Sequence, residues 1–294
     1  MITNLHIPIM TQEILMQFKP APGKVFLDAT FGDGGHSQEL LKKGATVIAF
    51  DQDIEAIDRG RARILETSPS LLPHLSLIHS SFTQLDAILS AQKVPSLDGA
   101  LFDLGVSTHQ LLEGSRGFSF NQEAPLDMRM DQQLGVTAAD LINALGPKEL
   151  TRLFQELSDE PFAPRIARAI LKKRKELPIT TTSQLAHLIS AVKPKSRTHP
   201  ATQVFQALRM AVNLEREAIQ LALPQAVAHL KAAAPLAVIS FHSVEDRLVK
   251  QTLHQLGQEG LLLHTNDKPL CPSEVEINNN PRARSAKLRI SYKL

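Results

Sequence analysis

The sequence predicts an α/β fold in which a parallel sheet is interrupted by a helical insertion. Four apolar runs, each typical of a buried strand, alternate with helical patterns as far as Asp103. Helical patterns broken by prolines follow for about a hundred residues, and a further apolar strand then begins at Leu236. We therefore expect an α/β domain in two parts, residues 1–109 and 217–294, around an all-helical insertion at 110–216.

A glycine loop follows the first predicted strand. It reads TFGDGGHS over residues 30–37 and leads into a helical pattern. Glycines allow a tight turn and let a ligand approach backbone N–H groups. The second strand ends at Asp51, seventeen residues after Gly34, where the acidic residue of a doubly wound fold meets ribose hydroxyls. Loop and carboxylate together predict a site for a nucleoside cofactor.

The loop suits S-adenosyl-L-methionine better than a dinucleotide. The dinucleotide fingerprint requires a third glycine where Ser37 stands, and Asp33 would repel a pyrophosphate. S-adenosyl-L-methionine carries a sulfonium cation and no phosphate. Two alternatives stay open on these residues: a nicotinamide-dependent oxidoreductase, and a glycine turn that binds nothing, against which Asp51 counts.

Two more buried strands, 75–79 and 97–103, continue the sheet. Phe82 follows the first of them, and its residue type favours a core position at the start of a helix, although a loop aromatic also suits an adenine face. Asp103 closes the second. Ligands of a parallel sheet gather outside the carboxyl ends of its strands, so we expect both residues to lie near Gly34 and Asp51.

The insertion is predicted as helices at 147–157, 162–175, 182–192 and 201–223. The second carries a basic run, which is typical of a solvated helix face but also neutralises phosphates. Two loops favour RNA, although packing explains each equally well: 116–120, with one arginine among aromatics, and 280–285, with two arginines. The candidate RNA contacts so far are Arg116, Phe118, Phe120, Arg168, Lys172, His199, Arg282 and Arg284.

The sheet resumes with a strand at 236–240, a helix at 245–256 and an alternating edge strand at 286–292. Phe241 and His242 follow the first of these strands and are expected at the same edge as Asp103. A metal site built from His199, His242 and a carboxylate lacks a ligand-spaced pair, so no metal is expected.

Composition is that of an ordinary globular protein, with 43% hydrophobic and 21% charged residues and a net charge of +2. One cysteine excludes an internal disulfide framework. The N-terminus lacks the pattern of a secretory signal, and no apolar run reaches membrane-spanning length. We expect a cytoplasmic protein with no membrane partner.

Seven strings in order along the chain carry a family resemblance: TFGDGGHS, LFDLGVSTHQ, RGFSF, PLDMRMD, HPATQVFQALRMAVN, VISFHSVEDR and NPRARSAKLR. The chain resembles the bacterial small-subunit ribosomal RNA cytosine-N(4)-methyltransferases. The resemblance implies a Rossmann-like methyltransferase sheet that depends on S-adenosyl-L-methionine, with an inserted helical substrate domain. It implies methyl transfer to the exocyclic amine of one cytidine in the decoding region of 16S ribosomal RNA, and by analogy a homodimer.

Carried over by position, the resemblance also implies a set of cofactor contacts. The chain departs from the family where Thr108 and His109 replace a Ser-Pro pair, and where Ala233-Ala234-Pro235 replaces a glycine pair. Neither change removes a functional group that we expect to act. The implied cofactor contacts are Gly34, Gly35, His36, Asp51, Phe82, Asp103 and Gln110.

A cytosine amine is a weak nucleophile because its lone pair is delocalised into the ring, so an acceptor must polarise its N–H. Asp103 is the first candidate, with Ser107, Ser240 and His242 as further catalytic candidates. Phe118, Phe120 and Phe241 are candidate platforms for an unstacked base. An alternative of another class is a ribosome assembly factor that binds the cofactor without turnover.

Overall fold

The structure, a computed structural model, describes residues 8–94, 96–194, 198–264 and 268–294. It divides into two compact units. The α/β unit consists of the described residues up to Gly105 together with Glu217–Leu294, and the helical unit is Val106–Arg216. The chain therefore leaves the α/β unit once and returns to it once.

A seven-stranded sheet forms the centre of the α/β unit. Its strands are β1 (Val25–Asp28), β2 (Thr46–Asp51), β3 (Leu75–His79), β4 (Gly99–Asp103), β5 (Pro235–Ser240), β6 (Leu262–His264) and β7 (Lys287–Lys293). The order across the sheet is β3-β2-β1-β4-β5-β7-β6. Strands β1 to β5 are parallel, whereas β7 runs antiparallel to both of its neighbours. The expectation that the last strand is a sheet edge is wrong, because the unpredicted strand β6 covers it.

The helices cover the sheet or build the helical unit. They are α1 (Thr11–Phe18), α2 (Gly35–Lys42), α3 (Ile54–Thr67), α4 (Leu85–Ala91), α5 (Thr108–Leu112), α6 (Ala138–Ala144), α7 (Pro147–Ser158), α8 (Ala163–Arg174), α9 (Thr182–Val192), α10 (Thr202–Val212), α11 (Glu215–His229), α12 (Ser243–Gln258) and α13 (Glu274–Asn279). None of those in the described ranges is long and apolar enough to cross a membrane.

One predicted helix is two helices in the structure. The pattern predicted a single helix over 201–223, but the chain breaks between α10 and α11, where Leu214 has a left-handed φ of 48°. The side-chain amide of Asn213 donates to Met128 O at 2.8 Å, and its oxygen accepts from Met130 N–H at 2.7 Å. These bonds use the end of α10 to fix the loop before α6, so a straight helix would lose them.

Both faces of the sheet are buried. Successive residues of a strand point to opposite faces, and Leu27 and Phe102 belong to one hydrophobic cluster while Phe26 and Leu101 belong to the other. This is why the central strands β1, β2, β4 and β5 read as continuous apolar runs and not as alternating ones. The helical unit has a separate core around Phe154.

Candidate active site

The glycine loop is tied to the end of β2. Phe31 N–H donates to Phe50 O at 2.8 Å, and Gly32 N–H donates to Asp51 Oδ2 at 2.7 Å. Gly34 has a φ of 75° and stands directly before α2. A Cβ at this position would lie 2.8 Å from Phe31 Cζ, so the tight turn requires glycine.

Asp51 is held by backbone groups on both carboxylate oxygens. Besides Gly32 N–H, Asp53 N–H donates to Asp51 Oδ1 at 2.9 Å. Burial raises the pKa of Asp51 to about 6, although these hydrogen bonds oppose the rise. Each carboxylate oxygen accepts more than one hydrogen bond, so Asp51 retains the capacity to accept from a pair of hydroxyls.

At the end of β4, Asp103 meets the first turn of α2. Asp103 N–H donates to Thr30 Oγ1 at 2.7 Å, and His36 Nε2 lies 3.6 Å from Asp103 Oδ2. Within the described residues, neither ring nitrogen of His36 nor Asp103 Oδ1 has a hydrogen-bond partner, and all three atoms are buried. Buried polar atoms without partners are costly. The arrangement is therefore that of a site completed by a polar ligand.

Asp28 is a third acidic group at this edge, and sequence reasoning missed it. Its side chain is buried, its Oδ2 accepts from Ser37 Oγ at 2.6 Å, and its Oδ1 accepts from Thr30 N–H at 3.2 Å. Burial raises its pKa. The sequence signal that could have revealed Asp28 is its position as the aspartate that closes a wholly apolar strand. A carboxylate at the end of a buried strand is itself buried and therefore needs hydrogen-bond partners nearby.

The structure corrects the argument that Asp33 repels a pyrophosphate. Arg59 Nε donates to Asp33 Oδ1 at 3.0 Å, so an adjacent cation neutralises this carboxylate. The missing third glycine at Ser37 therefore carries the case against a dinucleotide. Ser37 has a part of its own, since its hydroxyl joins α2 to Asp28.

Phe82 opens a short 3-10 turn, Phe82–Gln84, after β3. Its half-buried ring contacts Phe102 edge to face, with centroids 5.7 Å apart. This position agrees with the core role expected from its residue type. Contact with the cofactor stays a prediction.

The turn after β5 is fixed by a buried carboxylate, that of Glu245. Glu245 is fully buried, and its Oε2 accepts from Phe241 N–H at 2.9 Å. His242 Nδ1 accepts from Glu245 N–H at 3.2 Å, while His242 Nε2 lies 2.8 Å from Glu245 Oε1. Both ring nitrogens of His242 are therefore engaged by one residue. The geometry assigns His242 to capping α12, and its catalytic role stays a prediction.

The turns after β4 and β5 lie against each other. Gly105 has a φ of 103°, and a Cβ there would lie 3.4 Å from the Phe241 ring. Ser240, the buried last residue of β5, pairs with Lys287 at the start of β7. The turn Pro281–Ser285, which carries the exposed Arg282 and Arg284, directly precedes β7. These arginines thus stand at the same edge of the sheet.

In the helical unit, Ser107 and Gln110 form a capping box at the start of α5. Gln110 N–H donates to Ser107 Oγ at 3.2 Å, and Ser107 N–H donates to Gln110 Oε1 at 3.0 Å. Their local role is to satisfy backbone groups at a helix start. The predicted contacts of Ser107 with the amine and of Gln110 with the cofactor stay predictions.

Arg116 and Phe118 lie in the interior of the helical unit, which favours the packing alternative over contact with RNA. Arg116 is only 5% exposed and donates through Nη2 to Arg129 O at 3.0 Å and Met130 O at 2.8 Å. Phe118 is 7% exposed and belongs to the core of the helical unit, with the Arg116 guanidinium 6.0 Å from its ring centroid. The two residues fix a turn, because a buried guanidinium must spend its N–H groups on carbonyls.

Phe120 and His199 form a stacked pair with ring centroids 4.3 Å apart. Phe205 packs edge to face against Phe120 at 5.1 Å, so two neighbours already cover the Phe120 ring. His199 is exposed, and Ala201 N–H donates to its Nδ1 at 3.2 Å. Of the two, the His199 ring is the better platform for a base.

Comparison with known proteins identifies the family. The sequence matches the MraW methylase family over residues 3–294. The chain belongs to the MraW methylase family. It is 45% identical to the ribosomal RNA small subunit methyltransferase H of Deinococcus radiodurans, over 98% of this chain and 89% of the relative. It is 43% identical to the protein of that name from Syntrophotalea carbinolica, over 98% of each chain, and 40% identical to that of Caldicellulosiruptor saccharolyticus, over 98% and 99%.

The cofactor of the MraW methylase family is S-adenosyl-L-methionine, and the residues present fit it. The unpartnered ring nitrogens of His36 suit the amino-acid end of such a ligand. Asp51 suits the ribose hydroxyls. In the described residues no group of three or more His, Cys, Asp or Glu side chains is arranged to hold a metal ion.

Proposed function

We propose that this protein methylates the exocyclic N4 of one cytidine in the decoding region of 16S ribosomal RNA. The observation that carries the proposal is the family match along residues 3–294, with relatives that are named methyltransferases of small-subunit ribosomal RNA. The site geometry supports it, since the ends of three strands bring Asp28, Asp51 and Asp103 to one edge of the sheet. Among the described residues there, His36 and Asp103 keep buried polar atoms without a hydrogen-bond partner.

In the proposed site, the chain holds the cofactor in three places. Backbone groups of the loop at Gly34 and Gly35, together with His36, bind its amino-acid end, Asp51 binds its ribose, and Phe82 lines the adenine. Gln110 is a further predicted contact. When bound, S-adenosyl-L-methionine supplies a methyl group on an electrophilic sulfonium.

Asp103 is proposed to act on the cytosine amine. Its Oδ1 has no partner within the described residues, so it is free to accept a hydrogen bond from the amine N–H and to take that proton when the nitrogen becomes methylated. Phe241, on the adjoining turn, is the proposed platform for the base, which must leave its stack to reach the site.

The test is methyl transfer from labelled S-adenosyl-L-methionine to small subunits that lack the modification, followed by mapping of the labelled nucleotide. We expect label on the N4 of a single cytidine of the decoding region. Tight cofactor and subunit binding without any label would instead support the assembly-factor alternative. Label on a ring carbon or a ribose would reject the proposed chemistry.

We further propose that the protein works in the cytoplasm, where small subunits are assembled, and that it is a homodimer. The dimer rests on the family resemblance alone. Sedimentation equilibrium of the full chain at micromolar concentration tests it, and a mass near the 32.3 kDa of one chain would contradict it.

A further inference from the structure

A line of four basic side chains runs along one face of α8 and its C-terminal end. We name it the α8 stripe; it consists of Arg165, Arg168, Lys172 and Lys175, all exposed. We infer that the α8 stripe binds the phosphate backbone of the substrate RNA. The inference deepens the proposed function, on which it rests, by assigning the surface that holds the RNA strand.

The spacing places the four cations on one side of the helix. Intervals of three, four and three residues, at about 100° per residue, keep them within an arc of about 80° and spread them over about 15 Å of the axis. The buried residues of α8, which include Ile166 and Ile170, lie on the opposite side. The α8 stripe is therefore a continuous basic surface and not a scatter of charges.

None of the four side chains has a hydrogen bond or an ion pair with another described residue. Neighbouring cations outside the stripe differ: Lys173 pairs with Glu176 at 3.1 Å, and Arg174 Nη1 donates to Ile142 O at 2.6 Å and Leu145 O at 2.8 Å. The cations beside the stripe thus have partners within the protein, whereas the α8 stripe can bind an anion from outside.

Helix stability does not explain the stripe. Like charges three or four residues apart repel each other, and every neighbouring pair in the stripe has that spacing. The helix dipole favours cations in the last turn, which accounts for Lys172 and Lys175, but it disfavours Arg165 near the start. No acidic residue lies between Phe162 and Lys175 or on α9, which packs beside α8. The two glutamates of α7, which also packs against α8, have other partners: Glu149 accepts from Gly146 N–H and Glu156 pairs with Arg216.

Charge complementarity points to a polyanion with regularly spaced charges. Exposed guanidinium and ammonium groups on a helix face contact phosphate oxygens, which supply most of the sequence-independent affinity of a protein for nucleic acid. Among polyanions, an RNA strand is the occupant that the proposed reaction brings to this protein. The α8 stripe would then position the strand without selecting its sequence.

The experiment compares the full chain with two triple variants of equal charge change. The test variant is Arg165→Gln/Arg168→Gln/Lys172→Gln. The control is Lys43→Gln/Arg61→Gln/Lys93→Gln, which removes three exposed cations of the α/β unit. For each protein one measures the KM for small subunits, kcat, the Kd for S-adenosyl-L-methionine, and RNA affinity against salt concentration.

We expect the test variant to show a KM for small subunits at least about tenfold higher at low salt, with kcat and the cofactor Kd unchanged. Its slope of log affinity against log salt should fall by about 2, as expected for three lost contacts to single-stranded phosphates. The control variant should stay near wild type. A test variant whose KM and slope equal those of the control would overturn the inference. A test variant that binds RNA like wild type but no longer binds anionic lipid vesicles would overturn it too.

The two proposals fail in different ways. If the wild-type chain transfers no methyl group, the proposed function fails, while the salt slope of RNA binding still decides the role of the stripe. A melting temperature of the test variant at or above that of wild type shows that any loss of affinity is not unfolding.

Discussion

Asp103 and His36 lie at the centre of the candidate site, and their unsatisfied atoms distinguish a binding function from a merely structural one. Two further side chains there, Asp28 and Glu245, are buried carboxylates that hold backbone turns in place. Each buried carboxylate meets the first turn of a helix, where negative charge is favourable. The site is therefore positioned by α2 and α12 as much as by the strands.

Replacing Asp103 with Asn tests the proposed acceptor. The amide is nearly isosteric but cannot take a proton, so kcat should fall at least about a hundredfold, in the range of general-base contributions. The Kd for S-adenosyl-L-methionine should change only a few-fold. Single-turnover methyl transfer and calorimetric cofactor binding separate the two effects, and full turnover with normal cofactor binding would remove Asp103 from the reaction.

The raised pKa of Asp51, about 6, predicts a pH-dependent affinity for the cofactor. The ionised carboxylate accepts the ribose hydroxyls, so affinity should rise as pH increases through 6 and level off above 7, with up to about a tenfold change per pH unit below the pKa. Titration calorimetry between pH 5 and 8 measures it.

The matched variant is Asp51→Asn, whose weaker binding should be flat over this range. A wild-type profile as flat as that of the variant would contradict the prediction.

The stability of the cofactor-free protein depends on pH in the opposite direction to its cofactor affinity. The folded state holds the Asp51 proton more tightly than the unfolded state, so this group lowers the free energy of unfolding as pH rises from about 4 to 6.

The polar residues at the strand ends could be predicted from the sequence, but the burial of Arg116 and Phe118 in the helical unit could not. Asp51 and Asp103 close apolar runs, a local signal that the periodicity of the sheet makes reliable. Arg116 and Phe118 read locally as an exposed arginine among aromatics. Their burial depends on carbonyls at 129 and 130, which only the tertiary structure brings close.

At the scale of elements, the start of α12 depends on Glu245, and its replacement with Gln should be costly. The carboxylate accepts from Phe241 N–H and from His242, and an amide offers only one accepting oxygen. We expect the free energy of unfolding to fall by about 1–3 kcal/mol, the cost of a buried unsatisfied group. Urea denaturation measures it.

The control for that variant is Glu259→Gln, at the exposed C-terminal end of the same helix. It should change stability by less than about 0.5 kcal/mol. Equal effects at the two positions would show that the buried bridge contributes no more than a surface carboxylate.

The sequence predicted element boundaries correctly where periodicity or a proline sets them. It did not predict those that tertiary hydrogen bonds set. The helix α7 begins at Pro147, as expected for proline in a first turn. The break at Leu214 contains neither glycine nor proline, so the helical pattern predicted a single helix across it. Strand β6 has three residues, too few to show any period.

At the scale of the whole molecule, the two units have separate hydrophobic cores, so we expect a core substitution in one unit to destabilise mainly that unit. Phe154→Ala empties a fully buried site in the helical unit, and Phe26→Ala does so in the α/β unit. Each should cost about 3–5 kcal/mol. Hydrogen exchange should show that the first variant loses protection mainly within residues 106–216 and the second mainly outside them. Equal loss across both units from either variant would show a single cooperative body.

The sheet order has a consequence for synthesis on the ribosome. Strand β4 pairs with β5, yet β5 begins only at Pro235, after the whole helical unit. At 5–20 residues per second, the gap from Asp103 to Pro235 takes roughly 7 to 26 s to translate. During that interval β4 is an uncovered edge, which is prone to wrong pairing. The turn that carries Phe241, the proposed platform for the base, emerges later still, so on that proposal catalytic competence is among the last properties that the nascent chain acquires.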